Sequence, residues 1–470
     1  MEAITKFLLP IVQTVNAYLS DYILIFLLVG IGVFFSIRTR FVQIRCFGEG
    51  MKRVFGNISL RGGKGQSGLS SFQALATAIA AQVGTGNIVG ACGAILIGGP
   101  GAIFWMWIIA FFGMATIYAE AVLAQKTKTT DADGNVQGGP VYYIRHAFQG
   151  KFGKFLAAFF AVAITLALGF MGSMVQSNSI AESTGKAFHI DGWIIGLVLA
   201  ALCAFIFIGG IRRIASVAEK IVPIMAVLYL LIGIVILGCN ITKIPETFAL
   251  IFKYAFAPQA ILGGAFGAGI KAAISQGVKR GLFSNEAGMG STPHAHAQAN
   301  VKTPHEQGVV AMIGVFIDTF VVLTITALVV ISTLYAGNGP LSSPELLALN
   351  GVTGTITKAN MMQTAVGQIF GSAVGNILVA VCLTFFAFTT IISWNFFGKL
   401  NVQYLFGKKA TVVYSVLAIG FIFLGSLFPN DLVWELADMF NNIMVIPNVI
   451  ALFALSALVV AELRARKNKN

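Results

Sequence analysis

Two short stretches carry most of the polar chemistry that this sequence places inside apolar segments. The first is Gln82-Val83-Gly84-Thr85-Gly86-Asn87, set in an apolar run from Phe72 to Ile97. The second is Phe283-Ser284-Asn285-Glu286-Ala287-Gly288-Met289-Gly290-Ser291. Glycines beside hydroxyls, amides and a carboxylate weaken a helix and expose its peptide groups. In lipid such a break is tolerated only where the freed N–H and C=O groups meet protein, a cavity or a ligand. A half-helix N-terminus offers N–H groups and a positive dipole end suited to a carboxylate. Unwound carbonyls and a half-helix C-terminus suit an ammonium group or Na⁺. One broken helix therefore suits both ends of a zwitterion, and an α-amino acid with a coupling cation is the simplest ligand for two of them. The alternatives stay open at this level. Glycines at 84 and 86 would equally serve helix packing, and Glu286 near a helix end would pair with Lys279 or Arg280.

The remaining ionisable residues are read more plainly. Glu120 is expected to pair with Lys126, while Asp318, deeper in its segment, is a coupling or gating candidate. Lys271 snorkels or pairs with an acid, and Glu435 and Asp438 could pair within the last apolar segment. His294 and His296 point to different faces of a helix, which argues against a metal site. The five cysteines are scattered and show neither metal-ligand spacing nor a disulfide framework.

The elements that position these residues are membrane helices. Hydrophobic residues make up 57% of the 470, charged residues 10%, and mean hydropathy is +0.84, which excludes a water-soluble globular class. The apolar segments have helical length and lack the alternation of a membrane barrel. The net charge of +13 lies in short loops, where it signals orientation and not a nucleic-acid partner. An amphipathic or interfacial helix over residues 1–19 precedes a first span at Tyr22–Ile37, and no cleavable leader is read there. Further spans are expected at Ser70–Ile97, Pro100–Ala124, Phe155–Ile180, Trp193–Ile208, Ala215–Leu237, Ile261–His294, Val309–Leu334, Gly371–Phe397, Ala410–Leu427 and Val433–Leu463. Residues 338–363 read as an outer loop.

The fold class expected is thus an all-α polytopic membrane protein of about eleven transmembrane helices. All basic loops, including the Arg38 to Lys64 loop and the 464–470 tail, fall on one side. This puts the N-terminus outside and the C-terminus in the cytoplasm of a multi-pass cell-membrane protein. Residues 1–69 hold the extra helix and a basic loop. The rest divides into five-helix repeats at 70–239 and 240–463, each opened by an interrupted span, the pattern of a 5+5 inverted-repeat core with its site at mid-bilayer.

Gly98-Gly99-Pro100-Gly101-Ala102-Ile103-Phe104-Trp105-Met106-Trp107, followed by Gly113, resembles the signature of the sodium:alanine (or glycine) symporter family. Gln82–Asn87 and Phe283–Ser291 are similar to its two interrupted segments. The resemblance covers essentially the whole chain. It implies the leucine-transporter-type fold and Na⁺-driven, or sometimes H⁺-driven, uptake of small neutral amino acids such as alanine, glycine, serine or glutamine, with no cofactor beyond the coupling ion. It implies substrate contacts from Gly84, Thr85, Gly86 and Asn87 to the carboxylate, and from Ser284 and Asn285 to the amino end. It also implies a Na⁺ site in which Thr389 and Thr390 supply hydroxyls and carbonyls near Ala81 and Gly84 complete the shell. Trp394 shares a helix face with Thr390 and either walls the pocket or simply packs. Gln176, Asn178 and Ser179 either line the cavity or mark the outer end of their helix. A passive channel would need a continuous polar pore. A membrane enzyme would need a motif such as H-E-x-x-H or G-x-S-x-G, neither of which is present.

Overall fold

The computed structural model describes residues 2–56, 69–208, 210–256 and 266–465, almost all of them helical. Loop residues Arg61 and Lys64, the start of the second interrupted span at Ile261, and Arg466 and Lys467 lie outside the described residues. Long helices follow from the solvent: with no water in the hydrocarbon layer, intrahelical bonds must satisfy the backbone.

The helices that matter here are α1 (Thr5–Arg38), α2 (Phe47–Phe55), α3 (Ser71–Gln82), α4 (Gly86–Gly98), α5 (Ala102–Thr127), α6 (Gly150–Phe188), α7 (Gly192–Ile208), α8 (Gly210–Cys239), α9 (Ile244–Phe256), α10 (Phe266–Asn285), α11 (Pro304–Tyr335), α12 (Ser372–Phe406), α13 (Ala410–Gly425) and α14 (Asn430–Ala454). Among the described residues seven helices are long and apolar enough to cross a membrane, or eight if the bent pair α3 and α4 counts as one span. Helices α7 and α13 are apolar but shorter. They expose Leu202, Phe205, Val412 and Val416, a surface suited to lipid.

The residues expected to form an interfacial helix instead run on through a π-helical turn, Leu19–Leu24, into the first span. Polar side chains account for this. Asn16 Nδ2 donates to the Glu435 carboxylate at 2.6 Å and Asn442 Nδ2 to Ser20 Oγ at 2.8 Å, so the rod is fixed along α14. The expected outer loop contains the helix Pro344–Thr353, capped by Ser343, and the start of Met361–Phe370.

Both interrupted spans are held at the face that carries the basic loops. Ser70 begins α3 with a capping box to Gln73. Just before it, Leu69 N–H donates to Gln298 O at 3.0 Å, and Asn300 N–H donates to Leu69 O at 2.9 Å. One strand-like bridge thus ties the start of the first interrupted span to the end of the second.

The signature around residues 98–107 has a docking role. A Cβ on Gly101 would lie 2.2 Å from the Tyr254 carbonyl carbon, so only glycine lets α9 approach the start of α5. Trp105 Nε1 donates to Ala255 O at 3.2 Å, and Phe104 packs edge-on against Phe252 and Phe256. Replacing Gly101 by leucine should cost roughly 1–3 kcal/mol through overpacking and lower the melting temperature in detergent. Gly30→Ala, where nothing lies within 4 Å, should not lower it, since alanine is the better helix former.

Candidate functional site

The first break is a bend of 47° between α3 and α4. Its freed peptide groups find partners at once. Gly84 N–H donates to Asn87 Oδ1 at 3.0 Å, and Thr85 N–H donates to Gln176 Oε1 at 3.1 Å. Gln176 therefore reaches the break from α6, whereas Asn178 Nδ2 donates to the Gly425 and Phe428 carbonyls and serves the helix end. Thr85 Oγ1 and Gln82 Oε1 are buried with no hydrogen-bond partner among the described residues. Such groups are rare in native proteins and mark places where an ion, water or ligand belongs.

The second break runs through left-handed backbone. Glu286, Gly288 and Gly290 have φ of +58°, +90° and +82°, left-handed values that favour glycine at the latter two positions. Glu120 from α5 takes the exposed amides: its carboxyl oxygens accept from Gly288 N–H and Gly290 N–H, each at 3.0 Å. Asn448 Nδ2 adds a bond to Glu120 at 2.6 Å and is itself held by the Tyr143 hydroxyl. The expected Glu120–Lys126 pair is not formed, because Lys126 binds Glu462 at 3.0 Å. Glu286 likewise does not pair with Lys279 or Arg280. It accepts from Ser291 Oγ and Trp394 Nε1, both at 2.5 Å, so the aromatic at 394 braces the break by its indole N–H.

Asp318 joins the two breaks. It lies in a π-helical stretch of α11, Phe316–Leu323, a widened turn found often at functional sites. Asn87 Nδ2 donates to its Oδ1 at 2.6 Å, and Ser284 Oγ lies 3.0 Å from both carboxyl oxygens. Thr319 Oγ1 donates to Oδ2 at 2.8 Å and accepts weakly from Asn285 Nδ2 at 3.4 Å. Gln82 Nε2 donates directly across the gap to Asn285 O at 2.7 Å. A Cβ on Gly86 would stand 3.1 Å from Ser284 Cα, and one on Gly84 only 2.4 Å from Thr390 Oγ1. The glycines thus do serve close approach, and what they bring together is this polar cluster.

Thr390 Oγ1 contacts the carbonyls of Ala80 at 2.9 Å and Val83 at 3.4 Å, one residue before the expected Ala81 and Gly84. The spacing of three, at the last turn of α3, directs these two carbonyls to the same side. Thr389 is not drawn into this group. Its hydroxyl lies against the Phe385 and Phe386 carbonyls, each at 3.0 Å, and the Met225 sulfur.

Aromatic rings and ions cover the cluster toward the α4 end. Phe283 lies between Trp394, edge-on with centroids 5.8 Å apart, and Trp434, tilted at 4.8 Å. Arg280 sits 4.7 Å over Trp434 and binds Asp438, which also takes Lys279 at 2.9 Å. Asp438 and Glu435 are therefore partners of α10, not of each other. Beyond this lid a cavity of about 460 Å³ is lined by Gly93, Glu182, Lys358 and Asp431. At the opposite end Leu69, Gln298, Asn395 and Lys399 line one of about 280 Å³. Lys271 sits over the Tyr22 ring. His294 Nδ1 meets Ser291 O at 2.7 Å and so carries the proton, leaving Nε2 to accept from Asn401.

Two interrupted helices meeting at a buried polar cluster, with a cavity at either end, define a membrane transporter and not an enzyme. The family model for the sodium:alanine symporter family matches residues 5–470. The chain is 41% identical over 464 residues to the sodium/alanine symporter AgcS of Methanococcus maripaludis, covering 98% of both. It is 40% identical over 459 residues to the probable sodium/glutamine symporter GlnT of Bacillus subtilis, covering 97% of this chain and 90% of that one. The chain therefore belongs to the sodium:alanine symporter family, whose members couple amino-acid transport to sodium. Its fold matches the crystal structure of MhsT in complex with L-phenylalanine at a TM-score of 0.59, with 14% identity, over 83% of this chain and 90% of that one. A manganese transporter from Eremococcus coleocola matches at 0.52 with 12% identity, over 87% and 82%. These likenesses establish a leucine-transporter-type fold.

Loss of Glu120 would strand two peptide N–H groups and leave the Asn448 amide with only the Gly288 carbonyl to donate to. Glu120→Ala should destabilise by roughly 2–4 kcal/mol, counting about 1–3 kcal/mol for each stranded group with partial relaxation. Glu120→Gln, which keeps one acceptor oxygen, should lose less. Thermal melts of both variants in detergent would show the order, and equal melting temperatures would contradict it.

Proposed function

We propose that this chain is a Na⁺-coupled symporter that brings a small neutral amino acid into the cell. Its core is read as ten helices in two inverted repeats, 70–239 and 240–463, behind one additional N-terminal span, with the N-terminus outside and the C-terminus cytoplasmic. The observation that carries this reading is the single carboxyl group of Asp318 bonded to both breaks through Asn87 and Ser284. A group so placed senses the separation of the two repeats, which is what alternating access must change.

In this reading the substrate carboxylate lies against the first break at Gly84, Thr85, Gly86 and Asn87, where Thr85 Oγ1 waits for a partner. The ammonium end faces Ser284 and the Asn285 carbonyl region, with Gln176 and Trp394 holding the two breaks in shape. Na⁺ lies between Thr390 Oγ1 and the Ala80 and Val83 carbonyls, the hydroxyl keeping its proton and turning it to the Phe386 carbonyl 3.0 Å away, an all-oxygen setting suited to a hard cation. Thr389 joins as a ligand only by turning about χ1 away from its present carbonyls. Arg280, Asp438 and Trp434 form the outer lid, whose ion pair opens when substrate enters. Relatives named for alanine and for glutamine support a neutral amino acid, and the alanine names favour a small side chain. One relative is named a putative sodium/proton-dependent alanine carrier. The buried Asp318 carboxyl is the group through which a proton would replace or accompany Na⁺.

Uptake of labelled alanine, glycine, serine and glutamine into proteoliposomes, with a Na⁺ gradient, a H⁺ gradient or neither, tests the assignment. Accumulation is expected only with inward Na⁺, and equal accumulation without it would overturn Na⁺ coupling. Asn285→Ala should abolish uptake while protein is still made at the normal level. Thr390→Val, which keeps the shape and removes the hydroxyl, should raise the Na⁺ concentration for half-maximal uptake severalfold. An unchanged Na⁺ dependence would remove Thr390 from the ion site.

A further inference from the structure

Away from the transport site, Cys46, Glu49 and His305 bring a thiol, a carboxylate and an imidazole together, all three ligand atoms within 4.8 Å of one another. Their backbone placement is specific. The chain turns sharply after α1 through left-handed residues Arg40 and Phe41, and Cys46 then immediately precedes α2. Glu49 is three residues on, one helical turn away on the same face. His305 stands in the first turn of α11. Helix α2 lies directly on α11: a Cβ on Gly50 would come within 2.7 Å of Ile313 and 2.8 Å of the Val309 carbonyl. Close packing thus holds the two ligand-bearing elements against each other.

The imidazole is also aimed. Tyr118 OH is 2.8 Å from His305 Nδ1, which leaves Nε2 directed at Glu49 Oε2, 3.4 Å away. An outer hydrogen bond on one ring nitrogen is how ligand histidines are oriented toward a metal through the other. Cys46 is 1% exposed and His305 3%, while the Glu49 side chain keeps 23% of its surface open to solvent.

We propose that Cys46, Glu49 and His305 form a binding site for a divalent transition-metal ion of the zinc class, with water as the fourth ligand. Thiolate plus imidazole selects against Ca²⁺ and Mg²⁺, which take oxygen ligands. A tetrahedral ion with bonds of about 2.0–2.3 Å spaces its ligands about 3.3–3.6 Å apart. The Glu49–His305 edge already has that length, and rotation of the Glu49 and Cys46 side chains closes the rest. Binding displaces the Cys46 thiol proton to solvent as the sulfur–metal bond forms. Such an ion would clip the elbow after α1 to the helix that carries Asp318.

The test uses the full chain in detergent, with its tag removed and stripped by chelator, then titrated with Co²⁺ as the probe and Zn²⁺ as competitor. Wild type should take one equivalent of Co²⁺ with a thiolate-to-cobalt charge-transfer band that Zn²⁺ bleaches. Cys46→Ser should lose that band, and Glu49→Gln and His305→Gln should weaken binding at least tenfold. Tyr118→Phe, which keeps all three ligands and removes the orienting phenol, should weaken it by about 10–100-fold. The proposal is overturned if wild type shows no such band, or if Tyr118→Phe and Glu49→Gln both bind Co²⁺ as wild type does.

Discussion

The structure depends on how it satisfies two stretches of unwound backbone in a place without water. A break in a helix leaves about four C=O groups unpaired on one side and about four N–H groups on the other. At roughly 1–3 kcal/mol for each buried group left bare, an unsatisfied break would cost on the order of 10 kcal/mol. That is comparable to the whole stability of a typical domain, roughly 5–15 kcal/mol. The breaks persist because side chains take those groups, some local and some from other helices: Asn87 and, from α6, Gln176 at the first, and Asn285 with Glu120 of α5 and Asn448 of α14 at the second. Asp318 and Gln82 then tie one break to the other.

This division of labour separates two kinds of buried acid. Glu120 and Glu286 are both occupied at the second break: Glu120 by two of its peptide N–H groups and the Asn448 amide, Glu286 by the Trp394 indole and the Ser291 hydroxyl. They hold the second segment in a shape that glycine alone would not fix. Asp318 is different because its partners belong to the two different breaks, so any relative movement of the two interrupted segments must lengthen or exchange its bonds. The ionic lid at Arg280 and Asp438 lies on the same path, linked through Phe283 to Trp394 and so to Glu286.

Much of this could be read from the residues. Glycine and polar side chains inside apolar runs located both interrupted segments, and the membrane-helix class followed from hydropathy. The partners were harder to see, because hydrogen bonds across 168 or 231 residues of chain leave no local pattern. Glu120 looked paired with Lys126 because they are close in sequence; in the fold its carboxyl faces the second break, while Lys126 turns to Glu462. The carbonyls beside Thr390 differ from expectation by one position, a displacement that depends on where α3 stops at Gln82. Helix ends are the least legible feature of a sequence. The N-terminal helix departs for another reason: its amphipathic pattern fits an interface and a packed span equally well, and only the contacts of Asn16 and Ser20 with α14 decide.

If Asp318 is the hub that couples ion, substrate and helix geometry, its role should be visible in binding alone, without a full transport cycle. The direct measurement is equilibrium binding of labelled alanine to the purified protein across a Na⁺ titration, for wild type and for Asp318→Ala. Wild type should bind more tightly as Na⁺ rises, and the variant should lose that dependence together with most of its affinity. Alanine binding that is indifferent to Na⁺ in wild type, or a variant that retains the full response, would contradict the account.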